Sequence, residues 1–301
     1  MDPLVIAQIV LAAIQDVLFA AAAGTLACGV MAGRSGLIVP ASLRIGQLLL
    51  ALAMAIAALA YLWLQAAVMS GSPLMEAGSA VGAVLSESHF GLAWTIGFTG
   101  ALLAALSRLP ARRGLPLFAL GLVVWAAGKA AASHAADSGD FSVRETIHLV
   151  HLCATALWAG SVMVAAMLQR GFAYTTSDAP MRRAAFCGHL SHLATMALVV
   201  VVITGIYNMI EDTAQVHASI MGTAWGRILS AKLVCVAAAV VLGGWNRMAV
   251  LPDLQARAHR NDPAYAVVQH RFDTWLFVEA LFMLAVLAIA AALGHTSPVG
   301  A

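Results

Sequence analysis

Ten histidines are the residues in this 301-residue sequence best suited to chemistry, because imidazole binds copper, zinc, nickel or haem iron. They are unevenly placed. His89, His134, His148, His151, His217 and His295 fall at or near those ends of apolar segments that the charge pattern assigns to one membrane face. His148 and His151 are three residues apart and so share one face of a helix. Helix ends gathered in a bundle would bring His89, His134, His148 and His151 into one metal or haem site. A lone histidine at the water–lipid boundary needs no special cause. Four confined to one leaflet do.

A second pair, His189 and His192, opens another apolar segment at the opposite face. It could be an exit or acceptor site, although an interfacial helix start accounts for it more simply. His259 and His270 lie among arginines and read as solvated loop residues. Deep in the apolar segments stand Asp16, Lys232 and Glu279, ionisable groups that must face a bundle interior and find partners. Counting from the segment ends pairs Lys232 with Glu279, as a structural pin before a proton or ion pathway. Lys129 either snorkels outward or counters an anionic ligand near His134. Most of the thirteen methionines read as packing residues, and Cys28, Cys153, Cys187 and Cys235, each alone in an apolar stretch, as small hydrophobes.

The elements that position these groups follow from composition. The chain is 62% hydrophobic and only 10% charged, with a mean hydropathy of +0.90. So few charges cannot cover a water-soluble surface, which points to lipid as solvent. Eight stretches are long and apolar enough to span a bilayer as helices: residues 4–31, 44–69, 89–107, 115–136, 145–169, 187–210, 223–248 and 271–293. The first is too long, and lacks the basic flank, for a cleavable signal peptide. Arginines concentrate in the loops after helices one, three, five and seven, while the opposite loops carry acids such as Glu76, Glu87, Asp137, Asp140, Glu211 and Asp212. The positive-inside rule then places both termini in the periplasm. The expected fold is all-α, a polytopic membrane bundle of about eight transmembrane helices forming one integral-membrane domain over residues 1–301. The segment 70–88 reads as an external loop with room for a short interfacial helix, and glycines in helix three and at Gly243–Gly244 permit close helix approach.

The motifs in order resemble the CopD/PcoD copper-resistance membrane proteins. HLVHLCATALWAGSVM (148–163) is similar to that family's histidine-containing helix with its Trp-x-Gly step, and SHAA (133–136) to the Gly-His-Ala motif before it, with Ser133 at the usual glycine. ITGIYN (203–208), TAWGRILSAKL (223–233), with Trp225 at the usual tyrosine, and WNRM (245–248) resemble the family's TGL, YG-x-x-L-x-x-K and N-R elements. The closing run 277–298 resembles its Glu-containing last helix and T-x-P tail. By position, His134, His148, Lys232 and Glu279 match family motifs, whereas His151, His189 and His192 rest on spacing alone. The resemblance implies an inner-membrane protein of copper homeostasis that moves copper from periplasm to cytoplasm.

Two functions are therefore expected from different classes. In the first, copper delivered from the periplasm, for instance by a copper chaperone, is captured at the outer histidines and passed inward past sulfur-bearing groups such as Cys153 and Met163. In the second, the same histidines are axial ligands of haem b in a redox protein. A purely structural assembly factor is a third, minor possibility. The near-neutral net charge of +2 gives no case for nucleic acid. There is no HExxH, nucleophile elbow or phosphate-binding loop, so no enzyme is expected and transport would run on gradients or trapping.

Overall fold

A computed structural model describes residues 2–39, 41–109, 114–133, 135, 139, 142–169, 178–214 and 220–296. Among these the chain is helical almost throughout, without a strand. The helices are α1 (Pro3–Arg34), α2 (Ala41–Ser70), α3 (Gly78–Glu87), α4 (His89–Ser107), α5 (Leu115–Ala131), α6 (Val143–Leu168), α7 (Ala179–Thr213), α8 (Ala224–Trp245), α9 (Leu251–Arg260) and α10 (Tyr265–Gly294). Seven are long and apolar enough to cross a membrane, with α8 and α9 counted as one rod, and α5 is a shorter apolar helix of 17 residues. The protein is a polytopic helical membrane bundle.

Local sequence sets the starts of the helices that carry the site. The Ser142 hydroxyl accepts from the Glu145 amide at 3.1 Å, and Glu145 stands at the reciprocal position of a capping box, so α6 begins five residues before His148. Thr223 caps α8 in the same way, accepting from Gly226 at 3.0 Å. Asp2 and Pro3 open α1, and Asn261 in the left-handed region, φ 50°, ends α9.

Several boundaries differ from the sequence reading. The segment 115–136 is helical only to Ala131, and α3 occupies the loop 70–88 beside α2 and α4. Helix α7 starts at Ala179 and α10 at Tyr265, because polar turns extend both rods beyond the apolar stretch that marks a span. His259 and His270 consequently lie in α9 and α10 rather than in a loop, and both are exposed. Between α8 and α9 the rod passes through a π-helical turn, Asn246–Val250.

Helices α1 and α6 form the centre, with α2, α7 and α10 packed around them and the α4–α5 pair alongside. The central crossing is backbone on backbone: a Cβ on Gly160 would collide with the Ala20 carbonyl oxygen, and one on Gly24 with the Gly160 carbonyl. Gly97 and Gly100 of α4 likewise face Gly128 and Gly121 of α5, in antiparallel order. Polar pins cross the apolar interior, with Gln15 donating to the Ala57 carbonyl at 3.0 Å and the Trp94 indole to the Ala58 carbonyl at 2.8 Å. At the arginine-rich end, buried Arg183 donates to the Gln169 carbonyl at 2.9 Å and approaches Asp273 at 3.4 Å. Helix α8 packs mainly on α10 and turns most of its surface away from the bundle.

Candidate metal site at the histidine-bearing end

His148 and His151 lie one turn apart near the start of α6, with ring centroids 6.4 Å apart and planes 22° from parallel. Helix α7 supplies the partners. His151 Nδ1 is 2.9 Å from Thr204 Oγ1, and Asn208 Nδ2 donates to His148 Nδ1 at a long 3.4 Å. Thr204 and Asn208 are four residues apart and so present one face of α7 to the pair on α6. Gly205 lets the ring sit close, since a Cβ there would be 3.3 Å from Cε1 of His151.

The proton positions on His151 follow from the hydroxyl. Thr204 Oγ1 donates its only proton to the Val200 carbonyl at 2.7 Å. It can therefore only accept from His151, which places the imidazole proton on Nδ1 and leaves the Nε2 lone pair as a ligand. By the same reasoning Asn208, donating to Nδ1 of His148, leaves the proton of neutral His148 on Nε2, so this ring offers a ligand lone pair there only once it gives up that proton or the Asn208 bond. Thr204, Gly205 and Asn208 were not read as site residues from sequence, yet a polar i,i+4 pair within an apolar helix was a signal for them.

Charged groups surround the pair. Lys129 of α5 donates to Asp16 of α1 at 2.6 Å, and Arg144 of α6 to Asp212 of α7 at 2.6 Å. Lys232 of α8 lies within electrostatic reach of Asp16 and Asp212 and of both imidazoles. Tyr61 of α2 and His295, the C-cap of α10, complete the layer, with Oη 3.0 Å from Nε2.

Of the other expected ligands, His89 is not brought here. His89 is exposed at the start of α4, which packs on α2, α3 and α5 rather than on α6. His134 and His217 fall outside the described residues. Among the described residues no group of three or more His, Cys, Asp or Glu side chains is placed to hold a metal ion. His189 and His192 diverge: His189 Nδ1 meets Ser35 Oγ at 3.0 Å, whereas His192 lines an open cavity of about 330 Å³ with Arg247 and Gln255.

Lys232 and Glu279 form no ion pair, and the register explains why. Glu279 rests against Gly243, eleven residues (243 − 232) beyond Lys232 on α8, which is about 16 Å along a helix axis. Counted inward from the expected outer ends, Lys232 lies nine residues deep (232 − 223) and Glu279 fourteen (293 − 279), and the helix ends are offset further in the same sense. The acids within electrostatic reach of Lys232 are Asp16 and Asp212, which are bonded to Lys129 and Arg144.

Comparison with known proteins agrees with this arrangement of motifs. The family model for copper resistance protein D matches residues 184–293, and that for the copper resistance protein D-like N-terminal domain matches residues 1–143. No curated protein and no solved structure matches the chain. The two matches follow each other in order along most of the sequence, and the chain belongs to the copper resistance protein D (CopD) family.

Proposed function

We propose that the protein binds copper at His148 and His151 and moves it across the bacterial inner membrane, with the histidine-bearing end facing the periplasm. The observation that carries this reading is the Thr204 hydroxyl, which holds His151 in the tautomer whose Nε2 lone pair is available, beside a second imidazole. Two nitrogen donors leave coordination positions open for His134, for the ligand of a periplasmic carrier, or for water. Below the pair, Cys28, Met54, Met163 and Met283 are buried in the same apolar core, and thiol and thioether sulfur suit Cu(I). The orientation follows from the arginine-rich loops at the other end. The sequence carries no phosphate-binding loop, so in this reading the cargo moves down its own gradient or is trapped on arrival.

Haem b held by two axial histidines requires imidazoles on opposite sides of a porphyrin. His148 and His151 share one helix and one face, so these two cannot be the opposite axial ligands of one haem. That geometry favours copper over the haem reading. The test is copper content and an absorption spectrum on detergent-purified protein. Near-stoichiometric copper is expected in the wild type and in His259→Ala, with loss in His148→Ala and His151→Ala. A Soret band, or copper undiminished in both site variants, overturns the reading.

A further inference from the structure

Helices α8 and α10 meet along a seam holding a buried amide oxygen without a partner, on Asn246, and the largely buried carboxylate of Glu279. Glu279 of α10 is 5% exposed, and a Cβ on Gly243 would lie 2.8 Å from its Oε1. Among the described residues its carboxylate enters no hydrogen bond and no ion pair. One turn along α8, Asn246 is 3% exposed. Its Nδ2 donates to the Phe272 carbonyl at 3.3 Å, while its Oδ1 is buried without a partner. Gly243 faces Glu279 and Asn246 faces Phe272, so the helices run antiparallel. Side chains tilt toward the N-terminus of their own helix. Asn246 thus leans toward Gly243, and Glu279 leans toward Phe272, each toward the other. Asn246 also opens the π-helical turn, where the carbonyl register of the rod is shifted.

An ionised carboxylate at this depth needs a counter-charge. Lys232, about 16 Å away along α8, does not supply one. We propose that Glu279 and Asn246 form an exchangeable site for a small, hard, monovalent cation, a proton or a sodium-class ion. The donors are all oxygen, which disfavours a soft Cu(I) cargo, and a single carboxylate balances a single charge. The proposal uses none of the residues of the copper reading and stands or falls apart from it.

The experiment uses the full chain purified in detergent. One arm follows the thermal unfolding midpoint as NaCl replaces N-methylglucamine chloride at constant ionic strength. The other follows the infrared carbonyl stretch of a protonated carboxyl as pH falls. A midpoint that rises with sodium identifies a sodium-class ion, and a carboxyl band that grows with acid in the wild type but is missing from the Glu279→Gln spectrum identifies a proton. Glu279→Gln is expected to abolish the response. Gly243→Ala keeps the carboxyl but places a methyl 2.8 Å from the present position of Oε1, so it is expected to weaken the sodium response or shift the band, and it serves if the first variant fails to fold. Wild-type and Glu279→Gln proteins with the same sodium dependence and the same carboxyl spectrum at every pH overturn the proposal.

Discussion

Thr204 stands between a backbone carbonyl and an imidazole, giving its proton to Val200 at 2.7 Å and facing His151 Nδ1 at 2.9 Å. Valine is nearly the same shape but accepts nothing. Thr204→Val is therefore expected to release the Nδ1 proton from its fixed position and to weaken copper binding roughly 10–100-fold, the usual effect of losing a partner behind a metal ligand. A competition titration against a copper chelator measures it, and an unchanged affinity would remove the hydroxyl from the site.

Three cations, Lys129, Arg144 and Lys232, share this layer with two carboxylates, Asp16 and Asp212. Of these, Lys232 is the cation that forms no ion pair among the described residues, and under the copper reading it would repel an entering cation. Lys232→Gln is expected to tighten cation binding, by on the order of 1 kcal/mol. The same titration decides between this and the opposite sign, which would mean that Lys232 holds an anionic form of the cargo.

The Asp16–Lys129 bond joins α1 to α5 at 2.6 Å with both side chains largely shielded, at 20% and 25% exposure. Removing only one partner strands the other charge. Asp16→Asn is expected to lower the thermal unfolding midpoint clearly, and adding Lys129→Met to recover much of the loss. A double variant as unstable as the single one would show that Asp16 stabilises the bundle by some route other than Lys129.

Helix crossing gives a prediction about stability alone. Gly160→Ala would force α1 and α6 apart, at a cost of about 1–3 kcal/mol or more. Gly46→Ala in α2 meets nothing within 4 Å and should be neutral or stabilising by about 0.5–1 kcal/mol. Unfolding midpoints of the two variants side by side test the contrast.

The spans were legible because a bilayer filters sequence harshly: twenty apolar residues can hardly be anything but a helix. Polar continuations were not legible, and α7 and α10 each run past the apolar stretch by a turn or more. The His148–His151 pair was legible because its neighbours are set by helical period alone. Which helix faced it was not, since Thr204 and Asn208 are polar residues whose partner lies more than fifty positions away. The same limit misplaced Glu279. Depth counted from a helix end assumes level ends, and in this bundle Asp16, thirteen residues into α1, meets Lys129, two residues from the end of α5.

That last offset has a consequence for the surrounding lipid. Helix α5 rises about 26 Å over its 17 residues, short of a hydrocarbon layer of about 30 Å, while α1 beside it rises about 48 Å over 32. Acyl chains next to α5 must compress to match it. The resulting dent lowers the headgroups toward Asp16 and Lys129, and under the proposed function it would shorten the distance copper crosses unhydrated before it reaches the imidazoles.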